Sequence, residues 1–201
     1  MNIPNTGLPA PVLDRKVAMP ALLPDPEAFL IVTSLAGVAK DVMAISREGD
    51  YTYSMGGAMG AGVPMGLGLA CAQPGRRVLA VCGDGDLMMS LGILATVGAM
   101  QPANLAILCV DNGHYGETGY QAGHTARGVD LAQIASGSAI GTVHTINAEV
   151  EIAPARDALL SAPGPVFVWL RVTTELPPAY KRSWDACERR TVFRRALLGE
   201  A

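Results

Sequence analysis

Short, continuous apolar runs alternate with longer segments of mixed polarity along most of the chain. The clearest runs lie at residues 77–82, 104–110, 143–146 and 165–172. Because apolar residues fill these runs instead of occupying every second position, they predict strands that are buried on both faces. Strands of this kind that alternate with helices are typical of a parallel sheet covered by helices on each side. The pattern therefore predicts a doubly wound α/β fold with a mainly parallel sheet.

Helices are predicted in the segments between these strands. They are expected in the later part of 56–73 and at 36–46, 86–100, 129–139 and 149–162, with a further short strand at 50–55. We divide the chain into an N-terminal arm (1–26), one α/β domain (27–176) and a C-terminal helical extension (177–201). The arm is rich in proline and has little periodicity, and we expect it to wrap a partner.

Composition narrows the class of protein. The 201-residue chain is 50% hydrophobic and only 16% charged, with a formal charge of −3, which predicts that a second chain covers part of its surface. The chain lacks a basic patch of the kind that predicts nucleic-acid binding. The four cysteines form no Cys-x-x-Cys pair, and no leader pattern or membrane-length apolar run is found. We expect a cytoplasmic protein with reduced thiols and no membrane contact.

The sequence Gly83-Asp84-Gly85 stands where a buried strand ends and a helix begins. Ligands of open parallel sheets bind beyond the carboxyl ends of the strands, and helix N-terminal amides favour anions such as phosphate. An acid beside such amides is explained by a Mg²⁺ ion between carboxylate and phosphate oxygens. Asn112 follows the next strand and offers an amide oxygen, and the His114 carbonyl offers a third ligand.

Two simpler interpretations remain for these residues. Asp84 alone is typical of a helix N-cap, and Asn112 alone is typical of a turn. Their combination at the ends of two parallel strands favours the metal–diphosphate interpretation. The chain contains neither a Gly-Lys-Ser/Thr phosphate loop nor a dinucleotide-binding glycine pattern after a strand.

Gly-Asp-Gly followed by "DNGHYG" resembles the diphosphate motif of thiamine diphosphate enzymes, with Asp111-Asn112 in place of the usual Asn-Asn. Upstream, "GGAMGAGVPMGLGLA" resembles the glycine-rich segment of the decarboxylase and acetolactate synthase group. The resemblance implies that the Gly57 carbonyl holds the aminopyrimidine and that Met59 lies beneath the bent cofactor. It implies a cofactor-binding set that also includes Gly83, Asp84, Gly85, Asp86, Asn112, His114, Tyr115 and Gly116.

Asp86 departs from this resemblance, because the family often has Ser or Ala at that position. Its amide could still bind phosphate, but its carboxylate must point away from the diphosphate or be neutralised. The family also uses a pyrimidine domain that supplies an activating glutamate. This chain has room for one domain, and neither Glu27 nor Glu48 lies in a suitable motif. The resemblance therefore implies a separate pyrimidine-domain (alpha) subunit, in an α2β2 or larger hetero-oligomer.

Within the family, a small chain of this kind resembles the group of sulfopyruvate decarboxylase beta subunits and phosphonopyruvate decarboxylase. That resemblance implies a lyase subunit that decarboxylates a small anionic 2-oxo acid. His114 and Glu117 are the catalytic candidates, and His124 and Arg127 are candidates for a second anionic group on the substrate. Each of the four is otherwise an ordinary loop residue. The alternatives are an acetolactate synthase-like carboligase subunit and a non-catalytic scaffold or regulatory module.

Overall fold

A six-stranded, fully parallel sheet forms the centre of the computed structural model, which describes residues 8–199. The strand order is β2-β1-β3-β4-β8-β7. The bounds are β1 (Leu30–Thr33), β2 (Thr52–Ser54), β3 (Val78–Gly83), β4 (Leu105–Asp111), β7 (Thr142–Ile146) and β8 (Val166–Arg171), with a small antiparallel hairpin of β5 (His114–Tyr115) and β6 (Gln121–Ala122). The predicted doubly wound α/β fold is confirmed. Because the chain reverses direction across the sheet between β1 and β3, a crevice is expected at their carboxyl ends.

Helices cover both faces of this sheet. Their bounds are α1 (Arg15–Leu22), α2 (Ala36–Ser46), α3 (Gly62–Ala72), α4 (Asp84–Met88), α5 (Ile93–Met100), α6 (Leu131–Gly137), α7 (Ile152–Ser161) and α8 (Ala186–Leu198), with 3₁₀ turns at Pro26–Ala28, Thr125–Arg127 and Glu149–Glu151. Successive residues of β3 enter different cores. Leu79 and Val81 pack with α1, α2 and α7, whereas Ala80 and Cys82 pack with α3, α5 and α6. This double burial explains the solid apolar runs.

Two predicted boundaries were wrong in an instructive way. The single helix expected over 86–100 is two helices, since α4 ends at Met88 and α5 begins at Ile93. Ser90 and Gly92 lie in the interruption, and both residue types are weaker helix formers than alanine. The helix also begins at Asp84 and not at Asp86, so both acids lie in its first turn.

The N-terminal segment differs from the predicted arm. Helix α1 packs against α2 and α7, and its Ala18, Met19 and Leu22 are buried in the core. Leu13 pairs with Val172 next to the end of β8. These apolar side chains are covered by the same chain, so residues 13–23 belong to the domain. Residues 1–7 of the predicted arm lie outside the described residues.

The C-terminal helix docks on this domain at the edge strand β2. Phe193 is buried against Tyr53, with ring centroids 5.7 Å apart. The Arg189 guanidinium donates to the carbonyls of Gly49 and Thr52, both at 3.0 Å. Covering an edge strand in this way removes a surface on which another chain could add a strand.

Cys82 and Cys109 are buried free thiols, and Cys71 and Cys187 are exposed free thiols. Within residues 8–199, no helix has the length and apolar character needed to cross a bilayer.

Candidate functional site

A cavity of about 310 Å³ opens at the carboxyl ends of β1, β3 and β4, at the predicted crevice. The structure brings ten of the predicted site residues to its lining. They are Met59, Gly83, Asp84, Gly85, Asp86, Asn112, His114, Tyr115, Gly116 and Glu117. These residues come from three separate segments, and only the parallel register of β3 and β4 places two of the segments side by side.

Three predicted site residues do not line this cavity. Gly57 lies in the turn that also carries Met59, but it makes no part of the lining. His124 is exposed, with its Nδ1 3.4 Å from the Tyr115 hydroxyl. Arg127 is exposed at the end of a 3₁₀ turn. His124 and Arg127 therefore make no part of the cavity wall.

Asp84 is buried at the start of α4, and its carboxylate forms no ion pair with a basic side chain in residues 8–199. Burial raises its pKa to about 7, and the charge of Asp111 adds to the effect. The backbone amide of Gly85 and the Thr125 hydroxyl, 3.4 Å from Oδ2, oppose this shift only in part. The ion pairs found among residues 8–199 do not include Asp84 or Asp111. A divalent cation bound by Asp84 would offset the negative charge of these two buried acids.

Asp111 is held rigidly behind Asp84. Its Oδ2 accepts the Trp169 indole N–H at 2.8 Å, and its Oδ1 accepts the Gly113 amide and the Thr125 hydroxyl, both at 2.7 Å. Burial raises its pKa, and these hydrogen bonds oppose the rise. Both oxygens are occupied, so Asp111 orients the turn after β4. The sequence marked Asp111 only as a departure from Asn-Asn.

Asn112 and His114 form a compact turn beside these acids. The Asn112 side-chain oxygen accepts the His114 amide at 3.1 Å. The Asn112 carbonyl lies 2.8 Å from His114 Nδ1, and a carbonyl can only accept, so Nδ1 carries the proton. An amide oxygen has a second lone pair, which leaves Asn112 able to bind a metal.

Two glycines are required by close packing around Asp84. A Cβ on Gly85 would lie 2.4 Å from the Tyr115 ring, and a Cβ on Gly123 would lie 3.1 Å from Asp84 Oδ2. Any larger residue would push the ring or the carboxylate from its place. The first of these glycines belongs to the predicted motif, and the second was not predicted.

Asp86 is also buried in this turn, but its carboxylate is satisfied. Its Oδ1 accepts the Gly60 amide at 2.5 Å, and its Oδ2 accepts the Ser34 hydroxyl. Burial raises its pKa, and the bonds from Ser34 and Gly60 oppose the rise. The carboxylate therefore joins the end of β1 and the glycine-rich turn to α4.

A further part of the cavity wall was missed by sequence reasoning. The first turn of α2 forms it, together with Arg15 from α1 and with Lys40. Helix N-terminal amides lack intrahelical partners, and α2 has no side-chain cap. Ala36 has φ 59°, a strained value for a residue with a Cβ. The end of a buried strand at Thr33 was the signal available, because strand ends carry ligand sites in this fold.

Arg15 is a buried guanidinium in this wall. Its Nε lies 3.0 Å from Asp41 Oδ2, and the two side chains form an ion pair. Burial raises the pKa of Asp41 to about 6, although the bond and charge of Arg15 lower it. A Cβ on Gly37 would lie 3.0 Å from the guanidinium nitrogens, so the helix start and Arg15 are in close contact.

The donors fit a magnesium–diphosphate unit better than a metal held by protein alone. In the part of the chain that the structure describes, no three His, Cys, Asp or Glu side chains converge on one point. A cation beside Asp84 would therefore need amide, carbonyl and ligand oxygens as well, as Mg²⁺ accepts. Two helix N-termini border the same cavity and favour the anion. Fold and site thus indicate an α/β domain whose crevice is suited to a phosphorylated cofactor.

The family follows from comparison with known proteins. Residues 32–170 match the model described as "Thiamine pyrophosphate enzyme, C-terminal TPP binding domain". The match covers more than half of the chain, and the chain belongs to this family.

Individual relatives agree with this assignment. The chain is 35% identical over 121 residues to sulfopyruvate decarboxylase subunit beta of Methanocaldococcus jannaschii, covering 59% of this chain and 63% of the relative. It is 35% identical over 158 residues to phosphonopyruvate decarboxylase of Streptomyces viridochromogenes, covering 79% of this chain and 39% of the relative. The crystal structure of benzoylformate decarboxylase from Polynucleobacter necessarius shares the fold, with a TM-score of 0.65 at 19% identity, over 85% of this chain and 36% of that one. The chain thus spans less than two thirds of these relatives.

Proposed function

We propose that this chain is the diphosphate- and magnesium-binding subunit of a two-subunit, thiamine diphosphate-dependent 2-oxo acid decarboxylase. The substrate is a small anionic 2-oxo acid of the sulfopyruvate or phosphonopyruvate type. The observation that carries the proposal is the buried Asp84 carboxylate, which has no ion pair within residues 8–199 and lines a cavity bordered by the starts of α2 and α4. The names and subunit type of the relatives support it.

The residues of the cavity fit the cofactor in three parts. The Asp84 and Asn112 side chains and the His114 carbonyl would hold Mg²⁺. The amides that begin α4, with Tyr115 and Gly116, would hold the diphosphate. The turn carrying Gly57 and Met59 would hold the rest of the cofactor. When bound, thiamine diphosphate supplies a nucleophilic carbon and an electron sink for the loss of CO₂.

The protein's own side chains would orient the substrate and move protons. His114 and Glu117 line the cavity and are the proposed proton-transfer groups. Lys40 supplies positive charge to the part of the wall formed by α2, where an anionic substrate group would be attracted, and Arg15 supports that wall through its ion pair with Asp41. His124 and Arg127 stay proposals as substrate contacts, although neither lines the cavity in this structure.

The partner is proposed to be a separate pyrimidine-domain (alpha) subunit that supplies the activating glutamate, in an α2β2 or larger assembly. No charged residue occurs between Asp86 and Asp111, and Met89 and Met100 are exposed on this stretch. A surface without charge is typical of one covered by another chain. We also propose a cytoplasmic location, which the four free thiols support.

The test is co-expression with a pyrimidine-domain chain encoded beside this one. Calorimetry of the purified complex with Mg²⁺ should show saturable binding of thiamine diphosphate, and sulfopyruvate or phosphonopyruvate should release CO₂. A complex that binds no thiamine diphosphate in the presence of Mg²⁺ would refute the proposal.

Product analysis separates the alternatives in the same preparation. An acetolactate synthase-like carboligase would join pyruvate to a second pyruvate or to an added aldehyde. A non-catalytic module would leave the activity of the assembly unchanged after Asp84→Ala, whereas the proposed decarboxylase would lose its activity.

A further inference from the structure

The turn from Gly56 to Gly60 has little rigidity of its own. Gly56 and Gly60 have φ values of +76° and +74°, and a Cβ on Gly56 or Gly57 would meet nothing within 4 Å. Glycines in open space lose much conformational freedom when they are ordered. Met59, in the same turn, lines the cavity, so its position depends on what holds this turn in place.

Two ionisable side chains hold the turn, one near each end. Asp86 accepts the Gly60 amide at the end next to α3. At the end next to β2, Arg182 donates to the Gly56 carbonyl at 3.1 Å and to the Ser54 hydroxyl at 2.9 Å. Arg182 lies in the segment between β8 and α8, beyond the residues 32–170 that match the family model.

The surroundings of Arg182 keep it charged and oriented. The guanidinium lies over the Trp184 ring, 4.0 Å from its centroid, which favours one orientation of its plane. The residue is buried, and burial lowers its pKa, while Glu117 and Glu48 oppose that change. Glu117 belongs to the cavity wall, so Arg182 is electrostatically linked to two walls of the site.

The segment that carries Arg182 also passes the cavity itself. Leu176 and Pro177 line the cavity, and the Ser183 amide donates to Glu48 Oε1 at 2.8 Å. The segment from β8 to α8 therefore borders the cavity before Arg182 and is hydrogen-bonded to Glu48 directly after it.

We infer that Arg182 is a positioning residue for the cofactor: it holds the Gly56–Gly60 turn so that this wall contacts the part of thiamine diphosphate beyond the diphosphate. The inference rests on the proposed function for the identity of the ligand. Its structural part, the clamping of the turn, stands on the hydrogen bonds alone. The C-terminal extension then belongs to the site and is more than a cover for the sheet edge.

The experiment compares Arg182→Met with Arg189→Met. Both arginines come from the C-terminal segment and bond to the backbone in or next to β2, but Arg189 binds carbonyls at the other end of that strand. In the full-length chain without cofactor, hydrogen exchange of peptides covering residues 55–61 should rise about tenfold in R182M and stay unchanged in R189M. Equal exchange in the two variants would overturn the inference.

Ligand affinities are then measured by calorimetry on the complex with its partner chain. R182M should bind thiamine diphosphate with Mg²⁺ about tenfold more weakly than wild type, as expected for loss of a charge-assisted hydrogen bond. The affinities of R182M and wild type for inorganic diphosphate with Mg²⁺ should agree within about twofold, since Asp84 and Asn112 are unchanged. Arg182→Lys keeps the charge, so its affinity for thiamine diphosphate should lie between those of R182M and wild type. The affinity of R189M should match that of wild type.

The outcomes separate this inference from the proposed function. Unchanged thiamine diphosphate affinity in R182M, with normal binding by wild type, would overturn the positioning role and leave the proposed function intact. An equal loss of thiamine diphosphate and inorganic diphosphate binding would also overturn it, because that pattern indicates general disruption. A wild-type complex that binds neither ligand would overturn the proposed function and the cofactor part of this inference together.

Discussion

Two carboxylates in the first turn of α4 are both buried, yet their surroundings are opposite. Asp86 accepts hydrogen bonds from Ser34 and Gly60, which tie three segments together. Asp84 has Asp111 as its neighbour and the Thr125 hydroxyl at 3.4 Å. The difference indicates that Asp86 serves the fold and Asp84 serves a ligand, although two positions separate them. Burial by itself does not distinguish the roles, and the set of partners does.

Removing the charge of Asp84 should produce the largest effect. Asp84→Asn deletes the proposed anionic metal ligand, so binding of Mg²⁺ with inorganic diphosphate should weaken at least about 100-fold. The ligand-free chain should keep or increase its melting temperature, because an uncompensated buried charge has been removed. Calorimetry and thermal denaturation check the two parts. Retained binding would show that Asp84 is not the ligand.

Removing Asp86 should show the reverse pattern. Asp86→Ala leaves the Ser34 hydroxyl and the Gly60 amide without their acceptor, which should lower the free energy of unfolding by about 2–3 kcal/mol. Urea denaturation measures this. Binding of Mg²⁺ with inorganic diphosphate, tested below the unfolding transition, should persist. A D86A chain of wild-type stability would contradict the structural role.

The pH dependence of the ligand-free chain sharpens the comparison further. The folded-state pKa of Asp84, about 7, lies above its ordinary value of 3.8. The folded chain therefore binds this proton more tightly than the unfolded chain. The stability contributed by the protonated group is complete below pH 3.8 and is lost as pH rises through 7. Asp41, Asp86 and Asp111 shift in the same direction, so the contribution of Asp84 is the difference between wild type and D84N.

That difference is measured by urea denaturation of both chains from pH 4 to pH 8. The wild type should lose more stability over this range than D84N. Mg²⁺ competes with the same proton, so its affinity should rise as pH increases through 7. Parallel stability curves for the two chains would mean that Asp84 ionises in the ordinary range.

Ser34 should give the smallest of these effects. Ser34→Ala removes one donor to Asp86 while the Gly60 amide remains, and the expected loss of unfolding free energy is about 1 kcal/mol. A double-mutant cycle with D86A measures the coupling between the two side chains. A coupling of zero would show that the hydroxyl does not stabilise the carboxylate.

Particular residues show how much of the fold and of the site could be predicted from the sequence. The bounds of α2, Ala36–Ser46, agree with the prediction. The Gly-Asp-Gly turn and Asn112 were found together because both follow buried strands. Arg15 and Arg182 were not found, since one lies 69 residues before Asp84 and the other 98 residues after it, with no local pattern linking them to the cavity. The apolar face of α1 was misread because three prolines between 20 and 26 suggested an extended arm.

The alternation of strands and helices, the burial of the sheet on both faces and the turn that holds Asp84 could be predicted from the sequence alone, because periodicity and glycine placement act over a few residues. Tertiary structure alone decided which charges meet. It placed Asp111 behind Asp84, gave Asp86 its donors and brought Arg182 to the Gly56 carbonyl. The physical reason is that the ionisation and hydrogen bonding of a buried side chain depend on neighbours from distant segments, and packing alone selects them.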